Sequence, residues 1–266
     1  MTNDGGLPTT TDTSGGGTQR FGRLIERADG RDFPYYNGDP LALPVWQWII
    51  VVASCVAGLA VLYFYPAASN VQSLVPRFLF TAIPLVVFII FTRSRWHYIL
   101  RRVTGRDVIT MVLFAVLNLI ITFAVGAVVK IIFGANANTA GDGITDPAQA
   151  VAFYLGTAIQ LFGEELLTIL PFLAVMYICY AKAKISRKSA ILIAWLITAV
   201  WFGAIHLPSY GWNVAQALLV IGVARLVLTL AYIRTKNILV STGAHIINDW
   251  VLFTFPLITS AAAVII

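Results

Sequence analysis

Charged residues are scarce in this sequence. They make up 11 % of the 266 residues, whereas about a quarter is usual for soluble domains. Hydrophobic residues reach 59 %, and the mean hydropathy is +0.82. This composition excludes an ordinary soluble domain and predicts a polytopic membrane protein.

Cysteine is nearly absent. The two cysteines, Cys55 and Cys179, both lie in apolar runs and have no motif partner. This excludes a disulfide framework and a cysteine-based zinc site, so both are expected to be buried, inert thiols. The start of the chain has no apolar run of the kind found in a signal peptide, so none is predicted.

Long apolar runs occupy most of the chain. Since about 20 residues cross a ~30 Å hydrocarbon core, the runs predict an all-α polytopic membrane protein with about seven transmembrane helices. They cover 44–65, 78–92, 108–133, 148–181, 189–207, 212–233 and 238–255. The last ten residues are too few to span alone and are expected to extend or cap the seventh helix.

The first 43 residues have a different composition from the rest. Residues 1–19 are rich in Gly and Thr and are expected to be disordered, and residues 20–40 are charged and end in turn-forming residues. The sequence therefore predicts an N-terminal segment over 1–43 and a transmembrane helical domain over 44–266, with a functional core at about 148–255.

Basic residues are concentrated on one side of the predicted spans. Of the 18 Lys and Arg, 15 fall in the N-terminal segment and in the loops at 93–106, 182–188 and 234–236. The positive-inside rule then predicts a cytoplasmic N-terminus in the cell membrane. This distribution indicates contact with membrane lipid and argues against a nucleic-acid partner.

Glutamate is also scarce, and two of the three glutamates are adjacent within a predicted span, at Glu164 and Glu165. An ionisable side chain at a helix centre costs about 2.5–3.5 kcal/mol on insertion scales, so each is a candidate functional residue. The other polar residues away from the predicted interfaces are His206, Gln216, Arg225, His245, Asn248 and Asp249.

The spacing of these residues aligns them on helix faces. His206 follows Phe202 by four residues, and Asn248 and Asp249 follow His245 by three and four. A carboxylate pair and two face-aligned histidines on three helices predict a catalytic site enclosed by the last four spans. A lone interior histidine, by contrast, is as often a packed and satisfied side chain.

The order of these motifs resembles that of the CPBP intramembrane proteases. That family includes the CAAX prenyl endopeptidases and the bacteriocin-processing or immunity-associated (Abi-type) homologues. The motifs are EE at 164–165, FxxxH ending at His206 and HxxxN/D beginning at His245. The resemblance implies that Glu164 is the general base and that His206 helps to hold the water. It also implies that His245 and Asp249 polarise the scissile carbonyl, with Asn248 as an alternative donor and Glu165 in a structural or electrostatic role.

The first motif departs from the family pattern EExxxR, because Ile169 occupies the position of the arginine. Arg225, midway along the sixth span, is predicted to replace that cation from another helix. A metal-free mechanism with no cofactor is favoured, because neither HExxH nor a paired-histidine helix is present. The alternative is a zinc site with His206, His245 and Glu164 as ligands.

The favoured function is an intramembrane endopeptidase that hydrolyses a membrane-embedded or membrane-associated peptide or protein with a glutamate-activated water. The alternative is a non-proteolytic immunity or scaffold protein, or a small proton-coupled transporter, that retains the polar core. The Glu, His, His and Asp set favours the enzyme, whereas Ile169 favours the alternative.

Overall fold

The computed structural model describes residues 20–137 and 144–265, with side chains described as far as Phe255. Within these residues the fold is all-α, and seven helices are long and apolar enough to cross a membrane. Their bounds are α1 Val45–Phe64, α2 Asn70–Thr92, α3 Gly105–Phe133, α4 Pro147–Tyr177, α5 Arg187–Ile205, α6 Gly222–Thr235 and α7 Ile238–Ile265. The prediction of a seven-helix membrane protein is confirmed.

The helix bounds follow local signals in the sequence. α2 begins at Asn70, eight residues before the predicted run, because the Ser69 hydroxyl accepts a hydrogen bond from the Gln72 amide and caps the helix. Asp146 caps α4 in the same way, and Pro147 follows at the first helical position. α7 continues to Ile265, so the expected extension by the last residues is confirmed.

α4 is the central helix of the bundle. It packs against α1, α2, α5 and α7, and every residue from Gly163 to Ala174 is buried. A helix that is apolar and buried all round is expected in the interior of a membrane bundle. Its two glutamates therefore lie inside the protein rather than against lipid.

The N-terminal segment packs onto the bundle from residue 20 onward, which the composition did not indicate. Phe33, Tyr35, Tyr36 and Leu43 are buried, and the Phe33 ring packs against Phe172 and Tyr232. The expectation of disorder concerned residues 1–19, which lie outside the described residues. Residues 20–43 instead form part of the folded core.

A charge cluster that is buried except for Asp32 fixes this segment to the bundle. We call Glu26, Asp32, Arg187 and Lys236 the anchor cluster. The Glu26 carboxylate accepts hydrogen bonds from Arg187 and Lys236, at 2.7 Å in each case, and Asp32 accepts one from Arg187 at 2.6 Å. Burial alone would raise the pKa of Glu26, but these bonds lower it to about 2. The N-terminal segment and two predicted basic loops thus meet at one end of the bundle.

Candidate active site

A cavity of about 490 Å³ lies among the helices, and parts of all seven contribute to its wall. Its lining includes Glu164, His206, Arg225, His245, Asn248 and Asp249. Tyr65, Ala67 and Ser209, from connections at the end of the bundle opposite the anchor cluster, also line it. The structure therefore brings the residues predicted from three separate motifs to one cavity.

Glu165 is fully buried and lies between two partners from other helices. Its Oε1 atom accepts a hydrogen bond from the Arg225 guanidinium at 2.5 Å and lies 3.0 Å from His245 Nδ1. The Arg225 guanidinium also lies over the Phe202 ring, 4.8 Å from its centroid. The predicted contact between Arg225 and the glutamate pair is thus present, and it is made by Glu165.

Ile169 lies one helical turn after Glu165 and is fully buried in the apolar core. An arginine there would be four residues from Glu165, a spacing at which helical side chains interact. Arg225 reaches the same carboxylate from α6. The absence of the family arginine therefore does not leave Glu165 without a cation.

Glu164 has a different environment from its neighbour. Its Oε1 atom accepts a hydrogen bond from the Gln160 amide at 2.9 Å, and its Oε2 atom lies 3.8 Å from His245 Nε2. No cation within the described residues forms an ion pair with it apart from this histidine. Adjacent residues on a helix point about 100° apart, which is why Glu164 lines the cavity while Glu165 faces Arg225.

His206 lies directly after the end of α5, where it caps the helix. Its Nδ1 atom is 2.7 Å from the Phe202 carbonyl. Because a carbonyl oxygen only accepts, Nδ1 carries the proton, and in the neutral ring Nε2 is an acceptor. The Tyr63 hydroxyl donates to the Ile205 carbonyl at 2.8 Å and fixes this helix end.

Gly203 allows the His206 helix to approach its neighbour closely. A Cβ atom at Gly203 would lie 2.6 Å from the Ala217 carbonyl oxygen. Ala217 belongs to the π-helical turn Gln216–Ile221 that precedes α6. The small residue in the FGAIH sequence therefore lets α5 and this turn pack backbone to backbone.

Asp249 and Asn248 form a chain of hydrogen bonds that extends to α3. The Asn248 amide donates to Asp249 Oδ1 at 2.8 Å, and the Asn118 amide donates to Asn248 Oδ1 at 3.0 Å. Asp249 Oδ1 also lies 3.8 Å from His245 Nε2. His245 Nε2 is thus positioned between the carboxylates of Glu164 and Asp249 without bonding directly to either.

Several polar residues of this cavity were not predicted from the sequence, among them Asn118 and Arg77. The predicted second run begins at residue 78, but α2 begins at Asn70 and carries Arg77 into the bundle. Its guanidinium donates to the Phe153 carbonyl at 3.2 Å and lies against Gly156, where a Cβ atom would be 2.7 Å from Nη1. Asn118 is a single polar residue in an apolar run, which was the available signal.

The residues proposed for the zinc alternative line the same cavity, but they do not form a compact ligand set. No group of three His, Cys, Asp or Glu side chains within residues 20–137 and 144–255 is arranged to hold a metal ion. His206 uses Nδ1 to bond the Phe202 carbonyl, and His245 uses Nδ1 to bond Glu165. Metal binding by this set would have to use Nε2 of both rings.

Comparison with known families supports the resemblance drawn from the motifs. Residues 146–251 match the family model described as "Type II CAAX prenyl endopeptidase Rce1-like". The match is shorter than half of the chain, and it includes all three motifs. No curated protein and no solved structure matches the chain. The predicted similarity to the CAAX prenyl endopeptidases is confirmed.

Proposed function

We propose, from the similarity of residues 146–251 to the CAAX prenyl endopeptidases, that this protein is an intramembrane endopeptidase that uses a water activated by Glu164. The family match supports a CAAX-type protease in general. The observation that carries the finer proposal is the convergence of Glu164, His206, His245 and Asp249 on one cavity inside the bundle.

Glu164 is the residue best suited to act as the general base. Its carboxylate lines the cavity and its only ordinary hydrogen bond among the described residues comes from neutral Gln160. A carboxylate that faces the cavity in this way can accept the proton of a bound water. His206 accepts a hydrogen bond from the same water through Nε2, since Nδ1 is committed to the Phe202 carbonyl.

His245 and Asp249 are proposed to act on the scissile carbonyl. Glu165 accepts from His245 Nδ1 and thereby fixes the orientation of the ring, while Arg225 keeps Glu165 in place. Nε2 then points toward the space between Glu164 and Asp249. A protonated Nε2, or a protonated Asp249, donates a hydrogen bond to the developing oxyanion.

The substrate is proposed to be a membrane-embedded or membrane-associated peptide or protein. The cavity lies within helices that are apolar enough to span a membrane. We also propose a location in the cell membrane with a cytoplasmic N-terminus, supported by the basic loops and by the N-terminal segment that binds them. Metal-free catalysis is part of the proposal.

The test compares peptides released from membranes that contain wild-type protein or Glu164→Gln. The substitution keeps the shape and the hydrogen-bonding capacity of the side chain but removes the base. We expect one or more peptides to appear only with the wild type, at equal amounts of membrane-inserted protein. Identical peptide profiles would exclude the proposed function and favour the immunity, scaffold or transport alternative.

A further inference from the structure

Two residues on α3 that line the cavity each carry a buried polar atom with no hydrogen-bond partner among the described residues. The two atoms are Asn118 Oδ1 and Thr122 Oγ1. Asn118 is 1 % exposed. A buried polar atom without a partner is rare in native proteins because its desolvation costs about 1–3 kcal/mol. Two of them, one helical turn apart on the same wall, therefore require an explanation.

The state of Thr122 differs from that of other threonines in these helices. Seven helical threonines donate their hydroxyl to the carbonyl four residues earlier, which satisfies the group within its own helix: Thr81, Thr92, Thr110, Thr168, Thr198, Thr235 and Thr242. The Thr122 hydroxyl makes no such bond. Its hydroxyl is therefore left without a partner in its own helix, while the residue lines the cavity.

Asn118 is held with its carbonyl oxygen uncommitted. Its amide nitrogen donates to Asn248 Oδ1, and Asn248 in turn donates to Asp249. These bonds fix which end of the Asn118 amide faces α7, and they leave Oδ1 as an acceptor. They also connect this acceptor to the proposed catalytic residues.

We propose that Asn118 and Thr122 form a binding edge for the backbone of an extended substrate segment, which the cavity holds beside Glu164. This inference rests on the proposed function and adds to it a substrate conformation and two substrate-positioning residues. α3 lies outside the region that matches the family model. The family motifs therefore do not account for these two residues.

The spacing of the two groups suits an extended peptide. Four residues of α-helix separate them by about 6 Å along α3, and backbone groups on one side of an extended strand repeat every two residues, or about 6.7 Å. Asn118 Oδ1 accepts a backbone N–H, and the Thr122 hydroxyl bonds to the backbone two residues along. These hydrogen bonds are made to the substrate backbone, so they favour an extended, unfolded segment and do not depend on particular substrate side chains.

The test measures the coupling between these side chains and single backbone groups of a peptide. The probe is a farnesylated CAAX heptapeptide, together with analogues in which one amide at a time is replaced by an ester. Its Kd is measured with full-length protein carrying Glu164→Gln, with and without Thr122→Val. The matched control is Thr198→Val, which removes a hydroxyl already bonded to the Ala194 carbonyl.

We expect at least one ester to weaken binding by about three- to tenfold, the effect of one hydrogen bond, and we expect Thr122→Val to abolish that discrimination. Thr122→Val removes a buried hydroxyl that has no partner and should raise the thermal midpoint, whereas Thr198→Val should lower it and keep the discrimination. Asn118→Leu should likewise abolish the difference in Kd between the amide and the ester, at a position two residues away from the one that Thr122 contacts.

The outcomes separate this inference from the proposed function. An ester effect on Kd that is lost in Thr122→Val, without cleavage of the peptide by the wild type, would count against the endopeptidase and support the binding edge. Cleavage with equal ester effects in Thr122→Val and its parent would overturn the binding edge and keep the endopeptidase. A protein that neither binds nor cleaves the probe would overturn the binding edge, and identical released-peptide profiles for the wild type and Glu164→Gln would overturn the endopeptidase as well.

Discussion

The chain buries charge in two regions, and the two differ in how completely each charge is satisfied. In the anchor cluster, Glu26 accepts from Arg187, from Lys236 and from the Phe21 amide. Beside the cavity, Glu165 leaves Oε2 without a hydrogen bond among the described residues, as Arg225 leaves Nη1. Glu164 has a neutral donor, Gln160, as its close partner.

The difference is the one that the proposed function requires. A charge that only holds segments together is most stable when every polar atom is bonded. A group that must bind water and a substrate needs atoms that are still free to form bonds. The anchor cluster fits the first description and Glu164 fits the second, so substitutions in the anchor cluster should lower stability, whereas substitution of Glu164 should lower activity.

The largest effect is expected from Glu164→Gln, which should lower kcat/KM by several orders of magnitude while the protein still folds. Glu165→Gln should act mainly on stability, because it leaves Arg225 buried without its carboxylate partner. Turnover on a released peptide and thermal unfolding of each purified variant are the two measurements. Near wild-type turnover by folded Glu164→Gln would reject its role as the base.

Arg225→Leu should be the most destabilising single change in the cavity. Removing one member of a buried ion pair costs about 3–5 kcal/mol, because the other charge is left without a partner. The double variant Arg225→Leu with Ile169→Arg should recover part of this loss, since residue 169 lies one turn from Glu165. The measurement is the free energy of unfolding in detergent.

Ile169→Arg alone is the matched control for this pair. It adds a second cation to a carboxylate that already bonds Arg225 and places it in the apolar core, so it should destabilise the protein. Equal stability of Arg225→Leu and of the double variant would show that Arg225 does not replace the family arginine.

The residues of the cavity could largely be predicted from the sequence, whereas those of the anchor cluster could not. Hydropathy alone located the seven helices, and charge scarcity identified Glu164, Glu165, His206, His245 and Asp249, since a polar residue in an apolar run stands out. The scarcity of other deep cations also identified Arg225 as the partner of the glutamate pair.

The anchor cluster could not be predicted in this way. Glu26, Arg187 and Lys236 lie where charged residues are ordinary, and their pairing joins segments far apart in the chain. Asn118 and Arg77 were missed for related reasons. Asn118 belongs to none of the spaced motifs, and Arg77 lies next to a predicted span, where an arginine at the membrane interface is ordinary. Which side chains converge depends on tertiary packing, which a local pattern does not encode.

Glu26→Gln should destabilise the protein by about 3 kcal/mol without affecting the chemistry at Glu164. It leaves Lys236 buried without a carboxylate partner, because Glu26 is its bonded acid. The exposed Asp29–Arg31 pair, 3.6 Å apart, supplies the control, and Asp29→Asn should change stability by less than about 0.5 kcal/mol. Equal effects of the two substitutions would contradict a role for the anchor cluster in folding.

The same carboxylate predicts a pH dependence. Its pKa is about 2 in the folded protein, below the ordinary value of 4.5. The stabilisation by Glu26 is therefore fully present above about pH 4.5 and is lost as the pH falls toward 2. Thermal unfolding between pH 6 and pH 2 should show a smaller loss of stability in Glu26→Gln than in the wild type. Parallel profiles would contradict this assignment.

The smallest effect is expected from metal chelation, which should change neither the activity at the cavity nor the stability provided by the anchor cluster. The anchor cluster pairs its carboxylates with cations, and the cavity histidines bond the Phe202 carbonyl and Glu165 through Nδ1. Elemental analysis of the purified protein should find no stoichiometric metal, and activity should persist after treatment with a chelator. One zinc per chain, with activity lost on its removal and restored by its return, would instead assign His206, His245 and Glu164 as ligands. Glu164→Gln would then abolish metal binding together with activity, which distinguishes a ligand from a general base.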